Sequence, residues 1–460
     1  MRTAEHVHFI GIGGYGMSAI ARVMLEMGYQ VSGSDVVRQE LIEKLAAKGA
    51  QIYIGHEPEN VRGADLVVYS TALSRDNVER QEAEQLNIPI LHRAQMLARL
   101  LNARKGIAVA GAHGKTTTSS MIALVMENCG QDPTYIIGGE IVNVGTNAKA
   151  GKGEYVVAEA DESDGSFLQY ESAIGVVTNI EADHLENYDG DFNKLKEAYV
   201  SFLQNIRPDG CAVVCADDEN IQELLPKVNG ARVITYGLDA KDADYTATEL
   251  VLGDRCATFT VSHKDDVLGS VTLSVPGRHN VYNALATVIV CLEAGVPFGA
   301  IAEAIREFQG AKRRFQVLGE VKDMLVIDDY AHHPTEIQAT IQAAKATGKR
   351  IIAVFQPQRY TRTFFLLDAF SRAFADADEV IITDIYSPAG EQRIEGINSR
   401  KLVELISQNS NANVTYIPTK EEVHDLLVER IAPGDLVLTM GAGDIWKIAV
   451  ELSRNLRERE

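Results

Sequence analysis

No stretch of the chain approaches the roughly 18 consecutive apolar residues that a membrane-spanning helix requires, so insertion into a bilayer is not expected. Cysteine is sparse. The five residues, Cys129, Cys211, Cys215, Cys256 and Cys291, are scattered and odd in number. Cys211 and Cys215 share an apolar run, Cys-Ala-Val-Val-Cys, with no nearby partners to complete a zinc site. Such usage argues against a disulfide scaffold and predicts reduced, buried thiols in a cytoplasmic protein. Met1-Arg2-Thr3-Ala4-Glu5-His6 enters a strand-like segment at once, so no signal peptide is expected. Low-complexity segments are missing too. Basic residues are outnumbered 44 to 64, for a net charge of −20.

That deficit is uneven. Residues 1–105 carry 12 basic against 12 acidic residues, residues 106–313 carry 15 against 30, and residues 314–460 carry 17 against 22. An acidic middle repels polyanions, which argues against nucleic acid as a partner. It suits a site that handles phosphate through a metal ion held by carboxylates. A chain of 460 residues is too long for one core. Apolar runs alternate with amphipathic stretches throughout, the mark of an α/β fold. Strands are expected at 7–10, 30–33, 66–69, 107–110, 155–158, 175–178, 212–215, 324–328, 351–355, 380–383 and 436–440. Short alternating runs between about 230 and 275 suggest antiparallel strands. Polar junctions at Leu101–Lys105 and Gln309–Arg314 divide the chain into 1–105, 106–313 and 314–460.

The most informative segment is Ala110-Gly111-Ala112-His113-Gly114-Lys115-Thr116-Thr117-Thr118. It follows an apolar strand and precedes a helical pattern over 119–127. Strand, glycine turn, lysine, hydroxyls and helix start make a cradle for phosphate: N–H groups and the helix dipole face an anion, and Lys115 adds a point charge. A hydroxyl after the lysine, Thr116, can ligate Mg²⁺. The usual spacing asks for a glycine at 109, where valine stands, so the turn is a shortened variant. ATP is the expected ligand.

A second glycine loop, Gly11-Ile12-Gly13-Gly14-Tyr15-Gly16-Met17, follows the first strand, and Asp35 ends the next one. Gly11, Gly13 and Gly16 fit a site for a diphosphate beside a ribose. Both NAD and a UDP-sugar contain that pair of groups. In the acidic middle, Glu159 ends a buried strand, where it can hold Mg²⁺. Asp161, Glu162 and Asp164 beyond it read as a solvated acidic loop. The next strand leads into Thr178-Asn179-Ile180-Glu181-Ala182-Asp183-His184, where His184 could bind a second metal. Arg278-His279-Asn280-Val281-Tyr282-Asn283 opens an apolar helix, its polar residues serving as caps or as contacts to a purine edge.

Taken in order, these motifs resemble the Mur ligases along essentially the whole chain. The resemblance implies an α/β protein of three domains: an N-terminal Rossmann-like UDP-sugar domain, a central P-loop ATPase-type domain with added antiparallel strands, and a C-terminal Rossmann-like domain that brings in the amino acid. It assigns Gly111, Ala112, His113, Gly114, Lys115, Thr116 and Thr117 to ATP phosphates, and Thr116, Glu159 and His184 to what would be two Mg²⁺ ions. His279, Asn280 and Asn283 fall to adenine. The first glycine loop, with Gly14, Met17, Asp35 and Ser70, falls to the UDP-substrate, and its Gly-Ile-Gly-Gly-x-Gly-Met form looks like that of the alanine-adding member.

In the last segment Asp329 of Asp328-Asp329-Tyr330-Ala331-His332-His333 resembles the family's ribose contact. Arg359 and Arg362, three apart, suit carboxylate and phosphate oxygens, with His332 nearby and Arg314 reaching the γ-phosphate. Gly441-Ala442-Gly443-Asp444 resembles the family's closing glycine turn. Several members carry a modified lysine about fifteen residues after the equivalent of His184. Here 199 is tyrosine and the nearest lysines are Lys194 and Lys196, so no such modification is expected.

The implied reaction joins L-alanine to UDP-N-acetylmuramate through an acyl phosphate, in peptidoglycan precursor synthesis, by a cytoplasmic monomer or weak homodimer. Three alternatives stay open. A ligase that attaches a recycled tripeptide to the same sugar nucleotide would share most of the motifs. A nicotinamide-dependent oxidoreductase would use the first loop and Asp35. A regulatory protein would bind ATP without turning it over.

Overall fold

The computed structural model describes residues 5–458 apart from 71, 164 and 388–390. Met1–Ala4 and Asp164 therefore lie outside the described residues. The chain forms a three-domain α/β fold built on three sheets. The first is wholly parallel, with strands Gln51–Ile54, Gln30–Asp35, His6–Ile10, Leu66–Tyr69 and Ile90–His92 side by side. Both faces of its centre are covered, so Val7, Phe9, Ile10, Val67 and Val68 are fully buried. Strand order reverses at His6–Ile10, which opens a crevice beyond its carboxyl end and that of Leu66–Tyr69.

Under that crevice lies a buried polar network. Glu79, fully buried, accepts from Ser34 Oγ at 2.5 Å and from Asn60 Nδ2 at 2.6 Å, and faces His8 Nε2 at 3.5 Å. Burial alone would raise its carboxyl, but the bonds from His8, Ser34 and Asn60 outweigh it and hold the group below the usual range. Ser34 in turn offers its carbonyl to Gly11 N at 2.8 Å and Ile12 N at 3.0 Å.

The second sheet has ten strands. Its inner part runs Arg232–Gly237, Cys211–Cys215, Ile174–Val177, Lys105–Ala110, Tyr155–Glu159, Thr134–Ile141 and Thr146–Lys149, parallel except for the last pair. Tyr245–Leu252, Ala257–His263 and Asp266–Leu273 extend it beyond Arg232–Gly237. The two-residue link Lys264-Asp265 is a turn that only antiparallel neighbours permit. The third sheet runs Gln316–Val321, Met324–Asp329, Asp435–Met440, Arg350–Phe355, Glu379–Ile382 and Val414–Tyr416, parallel except for the first pair.

The chain forms two compact units. One comprises Met1–Thr248, Thr260–Val271 and Tyr282–Phe308; the other comprises Glu249–Phe259, Thr272–Val281 and Gln309–Glu460. Within the first unit the first two sheets are tied together. Ala150 N donates to Glu26 at 2.9 Å, Arg22 bonds Thr146, and Asn102 Nδ2 donates to Gln169 O at 3.0 Å.

At the Leu101–Lys105 junction, helix Arg93–Asn102 passes almost directly into strand Lys105–Ala110. The basic charge there has a structural use, since Arg104 Nη1 donates to the carbonyls of Gly151 and Gly153 at 2.9 and 3.0 Å. One expectation needs correction: all five cysteines are free and Cys211, Cys215 and Cys291 are buried, but Cys129 is half-buried and Cys256 is exposed just before strand Ala257–His263. Among the described residues no helix is long and apolar enough to cross a membrane.

Replacing Glu79 by alanine leaves His8, Ser34 and Asn60 without their common acceptor. We expect a loss of about 3 kcal/mol at pH 7 in urea denaturation. Because the native carboxyl is depressed, the Glu79 contribution should be present above the usual carboxylate pKa and fade as pH falls through the native one; a loss unchanged by acid would contradict this account.

Candidate active site

Beyond strand Lys105–Ala110 the backbone turns through Gly111 at φ +133° and Gly114 at φ +84°, both closed to ordinary side chains. A Cβ on Gly111 would run into Thr178 Oγ1, and one on Gly114 would lie 2.5 Å from Asn283 Oδ1. The turn is pinned from the neighbouring strand. Ala112 N donates to Asn179 O at 3.2 Å and His113 N to Asn179 Oδ1 at 2.8 Å, while Thr178 Oγ1 and Asn179 Nδ2 donate to His113 O at 2.6 and 3.0 Å. Helix Lys115–Asn128 starts there, four residues earlier than its apolar pattern suggests, with Thr116 and Thr117 buried in its first turn. Asn283 braces it from behind by accepting from Thr118 Oγ1 at 3.1 Å.

Of the described acids beyond Glu159, Glu162 is buried rather than solvated. Glu162 is only 3% exposed, and its carboxylate oxygens lie 2.8 and 3.0 Å from Lys115 Nζ. Burial opposes the ammonium charge, but Glu162, Asp161 and Glu159 outweigh it and raise the Lys115 pKa. Asp161 shows the converse: burial would raise its carboxyl, yet Lys115, the Ser163 bonds and Arg93 bring it below the usual range. Glu159, at the carboxyl end of its strand and in register with Val109, accepts from Gly138 N at 2.6 Å. His184 sits beyond Ile174–Val177 in a left-handed conformation, its Nε2 3.5 Å from Asp183. His113 pairs with Glu181 at 3.2 Å.

Beyond the first strand Gly11, Gly13 and Gly14 form the turn into helix Tyr15–Glu26, and Gly16 and Met17 lie in its first turn. Asp35 accepts from Gly13 N at 2.9 Å, so part of its carboxylate closes the loop itself. Ser70 lies at the topological switch: its Cβ would be 3.2 Å from one built on Gly11. Arg93, unremarked in the sequence, stands over Gly16, its Nη1 2.9 Å from where a Cβ would be.

The second unit gathers the remaining residues. Asp329 ends strand Met324–Asp329 and accepts from Phe315 N at 2.6 Å and Ala331 N at 2.7 Å. Burial pushes its carboxyl up to about 6, against the opposing effects of Arg314 and those two N–H groups. Arg314 reaches Glu336 at 3.6 Å and lies over the Tyr330 ring, and His332 Nδ1 is 2.9 Å from Tyr330 O. His279 is driven to about 4 by burial and by Arg314, which keeps it neutral at pH 7. Asn280 Nδ2 donates to Pro276 O at 2.7 Å, which ties that side chain to the backbone just before helix Arg278–Glu293. Arg359 precedes helix Tyr360–Phe365 at φ +66°, and Arg362, nearly buried, donates to Gln358 at 3.1 Å. The Gly441–Gly443 turn offers two carbonyls to Arg313, which also bonds Asp328 at 2.9 Å.

Three family models match in order: Mur ligase family, catalytic domain, over residues 6–105; Mur ligase middle domain over 109–291; and Mur ligase, glutamate ligase domain, over 313–443. The chain belongs to the Mur ligase family. It is 50% identical over 461 aligned residues to the UDP-N-acetylmuramate–L-alanine ligase of Pelotomaculum thermopropionicum, covering 100% of this chain and 99% of that one. Among solved structures, it is similar to the UDP-N-acetylmuramate-alanine ligase of Thermotoga maritima, with a TM-score of 0.82, 29% identity and coverage of 99% and 100%. The murein peptide ligase of Psychrobacter arcticus is similar at a TM-score of 0.72 and 25% identity, with coverage of 98% and 99%.

For this Mur ligase, residues that reasoning from sequence passed over include Glu162, Asn179, Asp183 and Arg93. A polar Thr-Asn pair at a strand's carboxyl end was a usable signal for Asn179. Nothing local distinguishes Glu162 from the acids beside it. The raised Asp329 carboxyl carries a pH signature. A raised native pKa favours folding while the group is protonated, and that advantage is lost as pH rises from about 4 to about 6. Unfolding free energies of the parent minus those of Asp329→Asn should therefore fall by about 2–3 kcal/mol between pH 4 and pH 7; a flat difference would contradict the buried carboxyl.

Proposed function

We propose that the protein joins L-alanine to the carboxylate of UDP-N-acetylmuramate, with cleavage of ATP to ADP and phosphate, as a step of peptidoglycan precursor synthesis. The observation that carries this reading is the 50% identity, over the full length of both chains, to the L-alanine ligase of Pelotomaculum thermopropionicum. We assign residues 1–105 to the UDP-sugar, 106–313 to ATP and 314–460 to the amino acid and domain closure. The protein would act in the cytoplasm as a monomer or weak homodimer.

A carboxylate is a poor electrophile, and converting it to an acyl phosphate makes it open to attack by a free amine. The loop from Gly111 to Thr117 and Lys115 would hold the ATP phosphates, with Asn280 and His279 toward adenine and Asp329 toward ribose. Asn283 supports the loop from behind. Thr116 and Glu159 offer the hard oxygens that Mg²⁺ prefers, and carboxylates outnumber the single lysine around them, so the donor set fits a divalent cation. His184 offers nitrogen, which Mg²⁺ takes less readily, and we give it the second ion. When bound, Mg²⁺ neutralises charge on the transferring phosphoryl group. Gly11, Gly13, Gly14, Gly16, Met17, Asp35 and Ser70 would take the UDP group. Arg359, Arg362, His332 and Arg314 would align the carboxylate, the amino acid and the γ-phosphate.

Phosphate release should require UDP-N-acetylmuramate and L-alanine together, with serine, glycine and the tripeptide clearly slower. Release independent of the sugar nucleotide, or fastest with the tripeptide, would overturn the assignment. Lys115→Ala should lower turnover by at least about a hundredfold while UDP-N-acetylmuramate still binds.

A further inference from the structure

The Lys115 ammonium has three donors, and all of them are engaged within the protein. It bonds Glu162 at 2.8 and 3.0 Å, the Gly111 carbonyl, and the Ala112 carbonyl at 3.3 Å. To meet a phosphate, Lys115 must release one of these acceptors. The carbonyls belong to the same turn and move with it, which leaves Glu162 as the partner to be given up.

Glu162 cannot simply turn to water. Its side chain is 4% exposed, its own carbonyl accepts from Tyr188 Oη at 2.5 Å, and fully buried Tyr199 lies close enough to feel its charge. A buried carboxylate stripped of its cation is strongly unfavourable. Glu159 and Asp161 also act on Lys115 from nearby, so an incoming phosphate meets three carboxylates against one ammonium.

We propose that Glu162 is a built-in competitor for Lys115, so that the lysine reaches a nucleotide phosphate only when a divalent cation arrives to balance the carboxylate it leaves. This assigns Glu162 as a positioning residue that acts through Lys115. The inference rests on the ATP reading above. Its consequence is a nucleotide site whose metal requirement exceeds what metal–phosphate binding alone would impose.

The test is the affinity of the full-length protein for ADP, measured by calorimetry with EDTA and again with Mg²⁺. Glu162→Gln is isosteric and removes the competing charge. It should bind metal-free ADP about tenfold tighter than the parent, while affinity with Mg²⁺ stays within about twofold. Glu162→Asp withdraws the carboxylate and should give a smaller gain of the same sign, which keeps the test available if glutamine is not tolerated. In a Lys115→Met background the gain should vanish, because a merely structural effect of position 162 would persist there. Unchanged or weaker metal-free binding in both Glu162 variants overturns the proposal, as does a gain that survives without Lys115. A parent that binds no ADP under either condition overturns the ATP reading as well.

Discussion

Backbone N–H groups can face an anion only if the turn that carries them is held open, and in this protein that hold comes from the adjacent strand. Thr178 and Asn179 make four hydrogen bonds to the turn at Ala112 and His113. Asn283 closes against Gly114 from the other side. The shortened glycine turn tolerates Val109 because its first residue past the strand, Gly111, supplies the unusual φ angle, and because external side chains do the bracing. Rigidity of this kind is worth more for transferring a phosphoryl group than added charge, since donors already in place need no reorganisation during reaction.

A second constraint is the treatment of buried charge. Glu79 beneath the first glycine loop and Glu162 beside Lys115 are both almost wholly removed from water. Glu79 is satisfied by neutral donors and histidine, none of which the proposed chemistry uses, so that network holds the crevice floor in place. Glu162 is satisfied by the lysine the chemistry does use. The same physical requirement, that a buried carboxylate be partnered, is therefore structural in one sheet and linked to function in the next. Asp329 is the third variation: backbone N–H groups only partly offset its burial, and its carboxyl remains raised.

Chain pattern revealed strands in proportion to their burial. Those at sheet centres, such as Ile174–Val177 and Arg350–Phe355, are nearly continuous apolar runs and stand out. Gln51–Ile54, Ile90–His92, Thr146–Lys149, Gln316–Val321 and Val414–Tyr416 lie at sheet edges, where solvent-facing positions break the apolar signal, and none is evident from pattern alone. Thr134–Ile141, one strand in from an edge, is missed as well, its apolar run being only Tyr135–Ile137 before two glycines. The glycine loops were legible because positive φ and close backbone approach leave few other residues able to serve.

The sequence by itself determined the α/β class, the two phosphate-cradling turns and membership of a ligase family, since each rests on local composition and spacing. Tertiary structure decided which acids are buried and with whom. Asp161 and Glu162 are adjacent in the chain and chemically alike, yet only Glu162 bonds the lysine. Its position depends on how the segment after Glu159 folds back over a helix that starts 44 residues earlier. That choice of partner is a property of packing, which no window of sequence contains.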